Sequence, residues 1–192
     1  MDYIIRNIRE TEYKILSDFL YEAIFIPEGV KAPPKDIINK PELQVYISDF
    51  GKHSGDYCLV AESDKKIVGA VWVRIMNDYG HVDNETPSFA ISLFPEYRNH
   101  GIGTALMKSM IDLLKTEKYK QASLAVQKTN YAVNMYKNVG FEITDENEEE
   151  YIMICRFRKI NRVNAIIAKF LTILKLQPNR ATLRSDLTQA VK

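Results

Sequence analysis

The stretch "EYRNHGIGTALMKSM", residues 96–110, sets Arg98, Gly101 and Gly103 at the head of an apolar-periodic segment. Glycines one residue apart let another group come close to the main chain. The first N–H groups of a helix have no partner inside it, and the helix dipole makes that end electropositive. A glycine-rich helix start therefore suits an anion, and a pyrophosphate is the chemistry indicated, with Arg98 adding a fixed charge. Two rival phosphate motifs fit less well. A dinucleotide fingerprint would need a third glycine where Leu106 stands, and a P-loop would end in Gly-Lys-Ser/Thr. Two glycines that only tighten a turn are the plainer alternative.

These residues must be held by the elements around them. Ile102, Ala105, Leu106, Met110, Leu113 and Leu114 keep helical spacing across 102–117. "SFAISLF" (88–94) reads as the strand before the glycines, ended by Pro95, and "QASLAVQ" (121–127) as the strand after the helix. Such a strand-helix-strand unit needs a right-handed crossover and parallel pairing. Upstream, the sequence predicts a strand at 3–9, a helix at 11–25, a proline-rich loop at 26–42 and a helix over 42–50 stopped by Gly51. A hairpin follows, of strands 57–63 and 66–75 around Asp64 and Lys65. Downstream come a short helix at 130–139 closed by Gly140, then strands "FEIT" and "YIMICRF" flanking the acidic tip "DENEEE". The order implies a single α/β domain with a central mixed, mostly antiparallel, twisted sheet and helices on both faces.

Arg98-Asn99-His100-Gly101-Ile102-Gly103-Thr104 resembles the Q/R-x-x-G-x-G/A acyl-CoA-binding motif of the GNAT N-acetyltransferase superfamily. The second half is similar too: strand "SLAVQ", then Asn130, then "MYKNVGFE", where that family has A-x-x-x-Y-x-x-x-G-F. The resemblance covers about residues 2–157 and implies that acetyl-CoA is a cosubstrate, with no metal. It places pantetheine along the backbone edge of Ser92, Leu93 and Phe94, with the pyrophosphate on the N–H groups of Asn99, His100, Gly101, Ile102, Gly103 and Thr104. Asn130 would touch the cofactor arm. A backbone N–H near Leu93 would donate to the thioester oxygen, and Tyr136 would be the general acid. The family often carries a glutamate on the strand before the motif, where this chain reads Ser88-Phe89-Ala90. The general base is then expected just upstream, at Glu85 first, with Asp83, His81 or a water as alternatives; an ordinary solvated turn is the other reading of that segment. The implied reaction is direct acetyl transfer in a ternary complex to a small-molecule or peptide amine. A non-catalytic acyl-CoA-binding module is the competing reading. Trp72, Tyr79 and Phe89 are candidates to line the acceptor side, Trp72 equally a core residue, and the tip "DENEEE" either steers a cationic amine or is a solvated turn.

The 192 residues are 46% hydrophobic and 27% charged, an ordinary globular balance. Charge is split along the chain: residues 1–157 hold 18 basic and 24 acidic side chains, residues 158–192 hold 8 and 1. The division predicts an acetyltransferase domain at 1–157 and a basic C-terminal tail at 158–192. In the tail, Val163, Ile166, Ile167, Phe170, Ile173 and Leu174 share one face of an amphipathic helix over 161–176. That helix would pack on its own domain or form a homodimer contact; a membrane surface or nucleic acid is the third possibility, and no nucleic-acid partner is expected. Cys58 and Cys155 stand alone in apolar runs and read as reduced, buried thiols. With neither a signal-peptide pattern nor an apolar run of about 20 residues, a cytoplasmic protein without a membrane span is expected.

Overall fold

The computed structural model describes residues 1–157; the expected amphipathic helix at 161–176 lies outside them. Seven strands form one sheet: β1 (Ile4–Asn7), β2 (Tyr57–Ser63), β3 (Lys66–Arg74), β4 (Ser88–Leu93), β5 (Gln121–Gln127), β6 (Glu142–Glu146) and β7 (Glu150–Arg156). Their order is β1-β2-β3-β4-β5-β7-β6, and every neighbouring pair is antiparallel except β4 and β5. Four α-helices accompany it: α1 (Leu16–Ala23), α2 (Pro41–Gln44), α3 (Ile102–Thr116) and α4 (Ala132–Asn138). No helix among the described residues is long and apolar enough to cross a membrane.

Side-chain alternation along the central strands feeds two cores. On one face Leu59, Ala61, Val71 and Val73 meet the apolar stripe of α3, where Leu106, Met107, Met110 and Leu114 are fully buried. On the other face Cys58, Val60, Ala70 and Trp72 meet Leu16, Phe19 and Leu20 of α1. Burying each such large side chain contributes about 1.5–3 kcal/mol, so the two faces clamp the sheet between helices. Trp72 is thus a core residue, and its indole N–H donates to Tyr46 O at 3.1 Å. Cys58 and Cys155 are free and buried.

The helix expected over 42–50 is only one α-turn, Pro41–Gln44, followed by successive turns to Gly51. A buried cation explains the departure. Arg74, at the end of β3, donates to Asp56 through two bonds of 3.0 Å and to the carbonyls of Val45 and Ser48 at 2.9 Å. Those carbonyls bind the guanidinium rather than continuing a helical ladder. The first predicted helix likewise begins as a 3-10 turn, Glu10–Ile15, before α1 proper.

Candidate active site

β4 and β5 touch at a single parallel position, Ser88 opposite Ser123, and then part. The next element, α3, starts beyond the far end of β4, so the gap opens toward its N-terminus. Main-chain direction along β4 follows from two bonds. Ser123 N–H donates to Pro87 O at 3.0 Å, which turns Pro87 and every second residue after it toward β5. Phe94 N–H donates to Val68 O at 3.1 Å, which turns the even-numbered residues toward β3. The groups facing the gap are therefore those of Phe89, Ile91 and Leu93. The expectation that Ser92, Leu93 and Phe94 present one free edge is corrected accordingly. Leu93 does, whereas Ser92 and Phe94 point their amides into the sheet, because successive residues of a strand alternate. The Ser92 hydroxyl is turned the other way again, donating to Phe19 O at 2.6 Å.

At the mouth of the gap stands the first turn of α3. Gly101 caps it at φ +79°, a conformation a side chain rarely adopts, and no side-chain cap or acidic residue closes the end. The first helical bond runs from Ala105 N–H to Gly101 O at 3.1 Å, so the N–H groups of Ile102, Gly103 and Thr104 precede the ladder. Asn99 is left-handed as well, at φ +63°, which asparagine tolerates better than most residues. The two glycines have different tasks. A Cβ on Gly101 would meet nothing within 4 Å, so that position needs its dihedral angle; one on Gly103 would lie 3.3 Å from Leu93 Cδ1 and 3.4 Å from Met135 Sδ, so that position needs its small size. Ile102 contributes only main chain here, its side chain being buried in the core, and His100 is exposed.

Arg98 does not reach outward as expected. Its Nε donates to Leu93 O at 3.0 Å and its Nη2 to Glu22 Oε2 at 2.7 Å. The guanidinium thus satisfies the one β4 carbonyl that would otherwise face the gap at this end, and ties the end of α1 to it. It is a strut of the site before it is a charge for a ligand.

Two arms of a cleft meet at the gap. The first, about 560 Å³, is lined by Ile91, Leu93, Arg98, Gly101, Gly103 and Thr104 and roofed by Ile24, Phe25 and Ile26 after α1. The second, about 380 Å³, runs between Leu20, Leu43, Tyr46 and Tyr79 on one side and Phe89, Gln127 and Glu150 on the other. Both arms share Ile91, Asn130 and Tyr136. Asn130 Oδ1 accepts the Ala132 N–H at 2.9 Å, capping the approach to α4 and leaving its NH2 group for the cleft. Tyr136 stands on α4 with its ring edge-on to Phe141, centroids 6.2 Å apart. Burial raises its hydroxyl well above the ordinary phenol value, with a smaller push from Tyr131, so it stays protonated.

The residues expected to supply the base lie elsewhere. Glu85 is 81% exposed and pairs with Lys120 at 3.3 Å, lining a separate hollow with Thr86 and Tyr119. Asp83 accepts the Glu85 N–H at 2.8 Å, a local turn bond, and His81 Nδ1 sits 2.9 Å from Met76 O. None of the three lines either arm. The turn 81–86 precedes β4 at its paired end, where the sheet is closed, and that places it beyond the gap.

The carboxylate the sequence reading left in the acidic tip is Glu150. β7 begins at it, and its register opposite Gln127 puts both side chains on the face of the second arm. A half-buried glutamate in register with the last residue of a cleft strand was recognisable only once β5 and β7 were paired.

Residues 19–141 match the Acetyltransferase (GNAT) family. An N-alpha-acetyltransferase of Sulfurisphaera tokodaii is 31% identical over 106 residues, 48% of this chain and 62% of that protein. Human N-acetyltransferase 8B is 24% identical over 113 residues, 58% of this chain and 50% of that protein. The chain spans between 50% and 65% of the length of the curated relatives it matches. In fold it is similar to the PaiA N-acetyltransferase of Thermoplasma acidophilum, solved in complex with coenzyme A, with TM-score 0.62 and 18% identity over 82% of this chain and 100% of that one. A seven-stranded sheet parted where β4 and β5 run parallel, a helix start without a side-chain cap beside the gap and the family match over residues 19–141 agree: this chain belongs to the GNAT family of acetyltransferases.

Proposed function

We propose that the protein is an N-acetyltransferase that moves the acetyl group of acetyl-CoA directly onto a primary amine. The observation that carries this reading is the meeting of the two arms at Tyr136. One arm has main-chain donors of the kind an acylated pantetheine and its diphosphate need. The other is a separate approach for the acceptor. A protein with a cofactor arm alone would fit a binding module; the second arm favours transfer. The family membership and the coenzyme A held by the Thermoplasma relative support the choice of cosubstrate.

Acetyl-CoA supplies an activated acyl group whose carbonyl carbon an amine can attack. The chain's own part is to bind, orient and move protons. The N–H groups of Ile102, Gly103 and Thr104 converge at the electropositive end of a 15-residue helix, a seat for the diphosphate. The gap-facing groups of Ile91 are free to pair with the pantetheine amides as an added strand would, which leaves the Leu93 N–H over. Near Leu93, the same N–H can donate to the thioester oxygen, where charge develops during transfer. Tyr136 holds a proton beside the departing sulfur. Thiols titrate near 8.5 and phenols near 10, and burial raises Tyr136 further, so complete ionisation of the tyrosine is uphill by at least about 2 kcal/mol. Its proton is passed as the amine gives one up, without a free phenolate.

Acetyl-CoA consumption with a panel of primary amines, followed as free thiol, tests the reading. Thiol release that depends on the amine is expected. Folded protein that fails to bind coenzyme A at millimolar concentration would overturn it.

A further inference from the structure

We infer that Glu150 is the residue that takes the proton from the acceptor, and that the acceptor is an ammonium carried on an apolar body. The inference deepens the acetyltransferase reading and rests on it.

The second arm is lined by Glu149 and Glu150 and by no other carboxylate among the described residues. Glu149 is exposed at the tip, while Glu150 is half-buried at the start of β7. Cross-strand pairing with Gln127 fixes where Glu150 stands, and Asn130 follows three residues after Gln127 at the junction of the arms. Among the described residues no cation pairs with it. Lys128, just past β5, is engaged with Glu146 at 3.2 Å and lies over the Tyr151 ring. A second acid, Asp78, is near enough to act on its charge and is held by the Ser88 hydroxyl at 2.6 Å and the Tyr46 hydroxyl at 3.0 Å, both donating to Oδ2. Asp78 Oδ1 is buried and has no partner in the described residues. Two carboxylates with an unspent acceptor atom make this end of the arm cation-attracting, and Glu150 is the one that lines it. Desolvation, then the neighbouring Glu149 and Asp78, hold Glu150 above the ordinary carboxylate range, while an Asn147 contact opposes them. A base so placed is better matched to an amine near neutral pH than an exposed glutamate.

Much of the remaining lining is apolar, with Leu20, Phe25, Leu43 and Phe89 beside the polar groups of Tyr46, Tyr79, Gln127 and Asn130. A polycation or a sugar amine would leave polar groups unpaired against the apolar residues, at a cost in affinity. A single ammonium on an aliphatic or aromatic body fits. The protons balance as follows. Glu150 takes one from R–NH3⁺, and the resulting amine forms the C–N bond as the C–S bond breaks. The second proton on nitrogen replaces the one Tyr136 gives to sulfur. The products are R–NH–COCH3, the coenzyme A thiol and one proton, released from Glu150 to solvent.

The test compares the full chain with Glu150→Gln and Glu148→Gln on 2-phenylethylamine, spermidine and ethanolamine across pH 6–10, with coenzyme A affinity measured in parallel. The expected result is a preference for 2-phenylethylamine and a fall of about 100-fold in kcat/KM for Glu150→Gln at pH 7. That loss should recover toward pH 10, where the amine has lost its own proton. Glu148→Gln, equal in charge change but on the exposed tip, should keep the wild-type profile. Stability gives an independent check on folding. A raised carboxyl keeps its proton in the folded state at pH values where the unfolded chain has lost it, so ionisation above about 4.5 destabilises the wild type. Glu150→Gln should therefore melt higher than wild type at pH 7, with the difference closing below pH 4.5. A variant that turns over with the wild-type rate and pH profile overturns the inference and leaves the acetyltransferase reading intact, as does a preference for spermidine or ethanolamine. Wild-type protein that binds coenzyme A but acetylates no amine overturns the reading itself.

Discussion

The two arms of the cleft are built from different material. The donors of the first are main chain, in the opening turn of α3 and the gap-facing amides of β4, beneath an apolar roof of Ile24, Phe25 and Ile26. The second is mostly side chains, drawn from α1, α2, the loop before β4, β4 itself, β5 and β7. Main-chain donors are the same whatever the sequence, so the first arm can hold one constant ligand with few residue requirements. Side chains differ at every position, so the second arm can be refitted to a new amine without disturbing the first. In the proposed reaction, the wall they share, with Tyr136 and Asn130, is where the constant and variable halves meet.

Substitutions at that wall and in the first arm separate the two contributions. Tyr136→Phe removes the proposed proton donor while keeping the ring on Phe141; kcat should fall about 100-fold with coenzyme A affinity within about twofold, read by steady-state kinetics and calorimetry. An equal loss of affinity would mean that Tyr136 holds the cofactor instead. Gly101→Ala introduces no clash but imposes about 1–2 kcal/mol of backbone strain at φ +79°. Coenzyme A binding should weaken about tenfold as the turn relaxes and its donors shift. Arg98→Ala breaks the tie between Leu93 O and Glu22, a partly exposed pair worth about 1 kcal/mol, so the melting temperature should drop by about 2–4 °C. If binding falls while the melting temperature holds, the guanidinium is a phosphate ligand rather than a strut. His100→Ala should change coenzyme A affinity by less than about twofold, since that residue is exposed and does not line the first arm. A larger effect would show that the first arm also depends on side chains.

The same division explains which expectations held. Strands β2 and β5 lie at the residues expected from apolar alternation and turn signals, and α3 differs from its expected span by one residue. These elements are set by local periodicity. The 42–50 segment has a helical pattern, yet Arg74, which arrives from a strand about 25 residues later, claims its carbonyls. Trp72 could be read as core or cleft from its neighbours, and only the packing of α1 against β3 decided for the core. Glu85 closely precedes β4 in the chain, but the paired end of the sheet puts it on another surface.

What the sequence by itself determined was the spacing of Arg98, Gly101 and Gly103 at a strand-to-helix turn, and with it a helix start whose first backbone donors are left outside the ladder. A left-handed turn and a helix start are properties of a few consecutive residues, so a short string can specify them. Tertiary structure decided that Arg98 turns inward, that odd-numbered residues of β4 face the gap, and that Glu150 stands across from Gln127. Each of those depends on which strands are neighbours and at what register, a relation between residues far apart in the chain that no short stretch encodes.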